Sequence, residues 1–282
     1  MDPARDVLTI SSLIRNSPDG GAARDVVRGI AARRWPALVS AAAVHRVAPL
    51  LYSRLAQQGL LDCVPGTVRA ALRDEARGTA AMNTLLLSEH ERITRGAALC
   101  GAPLVPLKGA ALISMGLYSE AERPMTDLDY AAAAHHIGSL QAFLEQLGYG
   151  RSEVPGVHDA FVRRYAREYH YARTLGGVPV AVELHDALIS VLALRRAFNL
   201  HGARLVSMAR CGEDGTMQAR PEHTLLFCII HLAVAHRFSR LIWLADVDRL
   251  CGLDCLDWDL FSREARRARA DAAVHAVLCA AN

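Results

Sequence analysis

The sequence lacks a long hydrophobic run, although 52% of its 282 residues are hydrophobic. No apolar stretch reaches the roughly 18–20 residues that a membrane-spanning helix needs, so we expect no membrane span. The first residues, MDPARDVLTISSLIRN, also lack the basic stretch, apolar run and small-residue cleavage site of a secretory leader. These two absences favour a cytoplasmic protein.

A large excess of charge of either sign is absent as well. The chain has 32 basic and 29 acidic residues, a formal net charge of +3. This excess is too small to indicate non-specific binding to nucleic acid, which is therefore a less expected partner. The basic residues are unusual in kind, because Lys108 is the only lysine and all the others are arginine.

The cysteines give no indication of a disulfide framework. They number seven, an odd count spread along the chain, and several lie in apolar helical patterns, as Cys228 does in LLFCIIHLA. Buried free thiols in a reducing compartment are the expected state. With 22% charged residues beside the high apolar content, the composition is that of a globular protein.

Hydrophobic periodicity divides the chain into three regions. Residues 1–100 have apolar residues at three- and four-residue steps, which predicts an N-terminal helical region with a break at Pro49. Its second long helix extends to about residue 100, either whole or in two pieces around Gly78. Residues 201–282 return to helices after a loop, which predicts a C-terminal helical region.

Residues 101–200 have a different pattern, in which short strands alternate with helices. The segments REYHYART and VPVAVELH alternate apolar and polar residues and are joined by Leu175, Gly176 and Gly177, which predicts a hairpin. We therefore predict an α+β fold with an α/β core, in which a small mixed β-sheet is embedded between the two helical regions.

Three carboxylates are expected on one face of this sheet. Asp127 and Asp129 are two residues apart on a predicted strand, so both side chains point to the same side. In VPVAVELH the valines form the buried face, which places Glu183 and His185 on the opposite face. Three converging carboxylates can hold two Mg²⁺ ions, which clamp the attacking and leaving oxygens of a phosphoryl displacement.

A candidate phosphate-binding junction precedes these acids at Lys108, Gly109 and Ala110. Glycine permits close approach of the backbone to a phosphate, and the helix that follows offers free N–H groups. Lys108 adds a positive charge there, and as a solvent-facing loop cation it should contribute little to stability. A surface lysine, or a core-facing lysine paired with a structural acid, remains the alternative.

Other polar residues have more than one interpretation. Arg123 can meet a nucleotide phosphate or a substrate anion, or pair with Glu120 or Glu122. His185 can orient Glu183, contact the nucleotide, act as a base for the acceptor hydroxyl, or be structural. Asp246, in a second Asp-x-Asp sequence, lies on a predicted helix, where the two carboxylates diverge and cannot share an ion. It can instead anchor that helix to the core.

The ordered motifs LVPLKGAAL, ERPMTDLDY and VELH resemble those of the uncharacterised nucleotidyltransferase family, in the DNA polymerase beta-like superfamily. The downstream segment RLIWLAD and the leader HRVAPL are also similar, so the resemblance covers about residues 35–260. It implies that Asp127 and Asp129 are the metal-binding pair and Glu183 the third acid. Lys108 and Gly109 replace the Gly-Ser loop of the superfamily, and Ala110 lacks the serine hydroxyl.

The resemblance also implies a reaction. An NMP group would pass from an NTP, with ATP as the expected donor, to a hydroxyl or other nucleophile of an acceptor, with two Mg²⁺ ions and release of pyrophosphate. A small molecule or a peptide or protein side chain is the expected acceptor. The alternative is a non-catalytic regulatory or interaction protein that keeps the scaffold and binds nucleotide without turnover.

Overall fold

The computed structural model describes residues 3–16, 20–152, 159–189 and 192–281. It has the predicted α+β fold, in which a mixed sheet lies between helical regions. The helices that precede the sheet are α1 (Pro3–Ile14), α2 (Gly20–Gly29), α3 (Trp35–Val44), α4 (Ala48–Gln57) and α5 (Gly66–Leu99).

The predicted break near Pro49 lies between α3 and α4. Pro49 occupies the first turn of α4, where its missing N–H is not needed for a helical hydrogen bond. The chain turns at Arg46, whose φ of 57° is left-handed and therefore not helical. The proline thus lies in the first turn of α4, and the turn at Arg46 separates α3 from α4.

Helix α5 is continuous over 34 residues, so Gly78 does not divide it. A single glycine costs only about 1 kcal/mol in a helix interior, and the flanking Ala, Leu and Arg residues are strong helix formers. One side of the helix, including Leu86 and Ile93, packs against the sheet. Among the helices that the structure describes, none is long and apolar enough to cross a membrane.

Five strands form one sheet within the described residues. The strands are β1 (Val105–Pro106), β2 (Asp127–Ala131), β3 (Gly150–Arg151), β4 (Glu168–Leu175) and β5 (Val178–His185). They lie in the order β1-β2-β5-β4-β3, in which β2 and β5 are parallel neighbours and the other pairs are antiparallel. Helix α6 (Lys108–Ser114) follows β1, and α7 (Ile137–Gln146) follows β2.

The β4–β5 hairpin forms as predicted. Its turn is Gly176-Gly177, with φ values of 55° and 85°, the left-handed conformation that both central residues of a type I′ turn require. Of the two faces of β2 and β5, the one with Leu128, Tyr130 and Val182 is fully buried against α5 and α7. The other face is therefore free to carry polar groups.

The C-terminal helices cover the polar face from the other side. A short helix, α8 (Asp159–Phe161), precedes β4. Two further short helices, α9 (Leu192–Arg195) and α10 (Gly202–Met208), and a hairpin of β6 (Arg210–Cys211) and β7 (Met217–Gln218) connect β5 to the C-terminal helices. The C-terminal helices are α11 (Pro221–Ile230), α12 (Leu241–Cys251), α13 (Trp258–Arg267) and α14 (Asp271–Ala281). Helix α11 continues into a π-helical turn at His231–Ala235. These helices share one hydrophobic core with α1 to α4, so the two ends of the chain pack together beside the sheet.

Candidate active site

The two central strands bring the predicted acids together. The parallel register places Asp129 directly beside Glu183 and Ala131 beside His185. Carboxylate oxygens of Asp129 and Glu183 and a ring nitrogen of His185 lie within 4.8 Å of one another. Asp129 is 2% exposed, so its charge is held almost entirely by neighbouring protein groups.

His185 lies between the two acids. Its Nε2 is 3.1 Å from Asp129 Oδ1 and 3.5 Å from Glu183 Oε2. Burial would lower the pKa of His185, but the hydrogen bonds to Asp129 and Glu183 outweigh it and raise the pKa to about 9. Burial opposes the charge of Glu183 too, but hydrogen bonds from His170 and His185 hold its pKa well below the ordinary value. The imidazole therefore fixes both carboxylates in place.

Lys108 provides a second cation. Strand β1 pairs with β2, and Leu107 N–H donates to the carbonyl of Asp129, which directs the next residue toward the acids. Lys108 Nζ lies 2.7 Å from Asp129 Oδ1. Burial disfavours the ammonium, yet the charge of Asp129 outweighs this and raises the pKa of Lys108. The expectation of a solvent-facing lysine is wrong, because the side chain is largely buried in an ion pair.

Asp127 lies on the same face of β2 but outside the close group. It is opposite Ala181, not an acid, and it accepts a hydrogen bond from Thr126 Oγ1 at 3.2 Å. Burial and the nearby charge of Asp129 raise the pKa of Asp127. A carboxylate whose charge is disfavoured in this way is well placed to gain from a bound cation.

The acids face a cavity of about 370 Å³. Its polar wall includes Lys108, Asp127 and Glu183, and its opposite wall is formed by apolar residues of α11 and the loop after β5, such as Ile189 and Ile230. A second cavity of about 210 Å³ adjoins it and shares Lys108 and Asp127. Together they provide room for a phosphorylated ligand on either side of Asp127.

A larger cavity of about 740 Å³ lies elsewhere, between the N- and C-terminal helices. Its walls are formed by α1, α2 and α14 and include Asp248 and Arg15. No group of three metal-ligating side chains among the described residues lines it. The chemistry is therefore concentrated at the smaller cavities, and cavity size does not identify the site.

Comparison with known proteins decides the family. The model of a family described as uncharacterised nucleotidyltransferase matches residues 31–282, most of the chain. The chain belongs to this nucleotidyltransferase family. No curated protein and no solved structure matches it. Family membership confirms the resemblance of the sequence motifs, and it indicates nucleotidyl transfer as the general class of reaction.

In this member of the family, Arg123 forms a buried ion pair. Its guanidinium is buried and forms two hydrogen bonds with Asp246, Nε to Oδ1 at 2.8 Å and Nη2 to Oδ2 at 2.7 Å. It therefore pairs with neither Glu120 nor Glu122. The bidentate pair engages Nε and Nη2 of Arg123, and it anchors α12 to the loop before β2, as expected for Asp246.

Gly109 and Ala110 also serve packing. A Cβ on Gly109 would lie 2.5 Å from Met125 Cγ and 2.6 Å from Arg123 Nη1, so a glycine is needed for the loop before β2 to pack here. The Ala110 side chain is 2% exposed and belongs to the core beneath the sheet. The Ala110 side chain is thus not available to a nucleotide, whereas the backbone of Gly109 borders the smaller cavity.

Two site residues on β4 were not among the predicted ones. His170 lies opposite Glu183 in the antiparallel register, with its Nδ1 3.2 Å from Glu183 Oε1 and its Nε2 3.3 Å from Glu168 Oε1. These hydrogen bonds raise the pKa of His170 to about 10. The alternation in REYHYART does place Glu168 and His170 on one face, which was the available signal.

Proposed function

We propose that the protein transfers an NMP group from an NTP to an oxygen nucleophile of an acceptor. The acceptor oxygen attacks the α-phosphorus, the bond to the bridging oxygen of the β-phosphate breaks, and pyrophosphate leaves. The observation that supports this most is the parallel register of Asp129 beside Glu183, with Asp127 on the same face and a cavity in front of them.

The donor set fits a hard divalent cation. Asp127 and Glu183 line the cavity, and the buried Asp129 lies beside Glu183. Their carboxylate oxygens are the ligands that Mg²⁺ prefers. Lys108 and His185 place positive charge against Asp129, which is the electrostatic role that a bound cation would also have there. Two Mg²⁺ ions at such carboxylates would polarise the α-phosphate and lower the pKa of the acceptor hydroxyl.

The residues of the chain have distinct roles in this proposal. Asp127 and Asp129 would hold the metals, and Glu183 would complete the site that activates the acceptor oxygen. His185 orients Asp129 and Glu183, which its hydrogen bonds support. Lys108 has three N–H donors, of which one meets Asp129, so the others can contact phosphate oxygens of the NTP.

ATP is the proposed donor, and the proposed acceptor is a small molecule or a peptide or protein side chain. The cavity of about 370 Å³ in front of the acids has an apolar wall that includes Leu188 and Ile189. This wall supports an organic acceptor over a nucleic acid. The small net charge of +3 supports the same choice, because nucleic-acid binding depends on many basic contacts. A cytoplasmic location belongs to the same proposal.

The test is Mg²⁺-dependent release of pyrophosphate from each of the four NTPs, with small hydroxylated compounds, peptides and RNA offered as acceptors. The wild type should release pyrophosphate with at least one acceptor. Asp127→Asn should lower the rate at least about a hundredfold, because it removes a proposed metal ligand. Its stability should not fall, since burial disfavours the charged form.

Asp254→Asn is a matched control, because Asp254 is exposed and lies outside both cavities. It should keep the wild-type rate. An undiminished rate in the double variant Asp127→Asn, Asp129→Asn would contradict the proposal. Nucleotide binding without pyrophosphate release under every condition would support the non-catalytic alternative instead.

A further inference from the structure

Two of the arginines at the smaller cavity differ from Arg123 in their contacts. Arg46, in the turn between α3 and α4, and Arg240, which precedes α12, both line this cavity beside Asp127. Neither forms an ion pair within the part of the chain that the structure describes. Their contacts include a long hydrogen bond from Arg46 Nη1 to Thr126 Oγ1 (3.4 Å) and a cation–π contact of Arg240 with Trp243.

The backbone holds the two arginines side by side. Leu241 N–H donates to His45 Nδ1, and Ile242 N–H donates to the carbonyl of His45, both at 3.3 Å. These bonds join the α3–α4 turn to the first turn of α12. The neighbours Arg46 and Arg240 are therefore brought together by segments from opposite ends of the chain.

Their proximity is electrostatically unfavourable without a ligand. Burial lowers the pKa of Arg46, and the like charge of Arg240 lowers it further. The opposing attraction of Asp127 is smaller than either effect. Two guanidinium groups that converge at one cavity suit a multiply charged anion, because each can donate charge-assisted hydrogen bonds to phosphate oxygens.

We propose that Arg46 and Arg240 together bind the triphosphate of the nucleotide. This inference rests on the proposed function and deepens it, because it assigns polyphosphate recognition to the helical regions that flank the sheet. The α-phosphate would lie at Asp127 and Asp129, and the β- and γ-phosphates would extend into the smaller cavity toward the arginines. Lys108, which lines both cavities, lies between these two positions.

Affinity measurements test the proposal. Inorganic tripolyphosphate, the four NTPs and the corresponding NMPs are titrated into the full chain with Mg²⁺ by calorimetry. Arg46→Gln and Arg240→Gln should each weaken binding of tripolyphosphate and NTP about tenfold, and the double variant about a hundredfold, because each removes charge-assisted hydrogen bonds. NMP affinity should stay within about twofold of the wild type.

Arg266→Gln is the matched control, because Arg266 is an exposed arginine of α13 that lines neither cavity. It should bind as the wild type does. The thermal midpoints of Arg46→Gln and Arg240→Gln should equal or exceed the wild-type value, because the like-charge contact is relieved. Arg46→Lys should recover part of the lost affinity.

The outcomes separate this inference from the function on which it rests. Wild-type affinity for NTP in both glutamine variants would overturn the assignment of the arginines and leave the carboxylate site standing. A lowered thermal midpoint with equal losses for NTP and NMP would show a structural role and also overturn it. Absence of any NTP or tripolyphosphate binding by the wild type would contradict the proposed function itself.

Discussion

Replacement of Lys108 should affect both the stability of the fold and the binding of nucleotide. Its ammonium is 2.7 Å from Asp129 Oδ1, and the Asp129 side chain is almost fully buried. Removing Lys108 leaves the buried Asp129 carboxylate with His185 as its remaining cationic partner, which costs part of the several kcal/mol of a fully broken buried pair. A purely surface lysine would have no such effect.

Lys108→Met should therefore lower the free energy of unfolding by roughly 2–4 kcal/mol, because the methionine keeps the aliphatic stem but loses the charge. NTP affinity should fall in the same variant. Chemical denaturation and nucleotide titration measure the two effects. Unchanged stability would place Lys108 outside the ion pair, and unchanged affinity would remove it from the phosphate site.

The sequence could not predict the partner of Lys108. The lone lysine before a glycine indicated a special position, but its contact with Asp129 depends on the antiparallel pairing of two very short strands. Strand β1 has only two residues, too few for a periodic signal. Likewise, Arg123 and Asp246 are far apart in sequence, and no local pattern links a loop arginine to a helix aspartate.

At the level of single elements, helix α5 offers a matched pair of glycines. A Cβ on Gly78 would meet no atom within 4 Å, whereas a Cβ on Gly96 would collide with the ring of Phe143 on α7. Gly78→Ala should raise the free energy of unfolding by about 0.5–1 kcal/mol, since alanine is the better helix former.

Gly96→Ala should lower the free energy of unfolding, because the ring must move from its place in the core. Thermal and urea unfolding of the two variants provide the comparison. The changes in the free energy of unfolding should therefore have opposite signs at Gly78 and Gly96, although both lie in α5. A destabilised Gly78→Ala variant would indicate that α5 is not continuous through that position.

Helix α12 is attached to the sheet through the Arg123–Asp246 pair. Both side chains are buried, so Arg123→Met and Asp246→Asn should each lower the free energy of unfolding by about 3–5 kcal/mol. Combining them should cost less than the sum of the two, because neither charge is then left unpaired. A double-mutant cycle measures this coupling, and additive losses would argue against the pair.

The alternation of polar and apolar residues predicted most of the sheet. It identified the faces of β2 and β5 and the turn at Gly176-Gly177, because each of these depends on residues adjacent in sequence. The parallel pairing of β2 with β5 was not readable, because it depends on packing between distant segments. The proximity of Arg46 and Arg240 could not be predicted from the sequence for the same reason.

For the molecule as a whole, buried histidines make stability depend on pH. Burial lowers the pKa of His90 to about 4, and its Nδ1 lies 3.0 Å from the Tyr130 hydroxyl. The unfolded chain binds a proton near pH 6.5, while the folded chain does not until about pH 4. The contribution of His90 is therefore fully present above pH 6.5 and is lost as the pH falls toward 4.

Between pH 6.5 and pH 4, His90 should lower the free energy of unfolding by about 3 kcal/mol. His90→Gln, which can keep a hydrogen bond to Tyr130 but cannot titrate, should show a correspondingly shallower fall. Urea unfolding at several pH values between 4 and 7 compares the two proteins. Equal slopes would show that His90 is not the group responsible.

The most direct test of the carboxylate site is the position of a metal ion in a crystal of the protein. Crystals are grown with Mn²⁺, which stands in for Mg²⁺, and an NTP analogue whose α–β bridge cannot be cleaved. The anomalous difference map should show manganese at Asp127 and Asp129, with the triphosphate extending toward Arg46 and Arg240. Manganese bound away from Asp127, Asp129 and Glu183, with the nucleotide in place, would contradict the assignment.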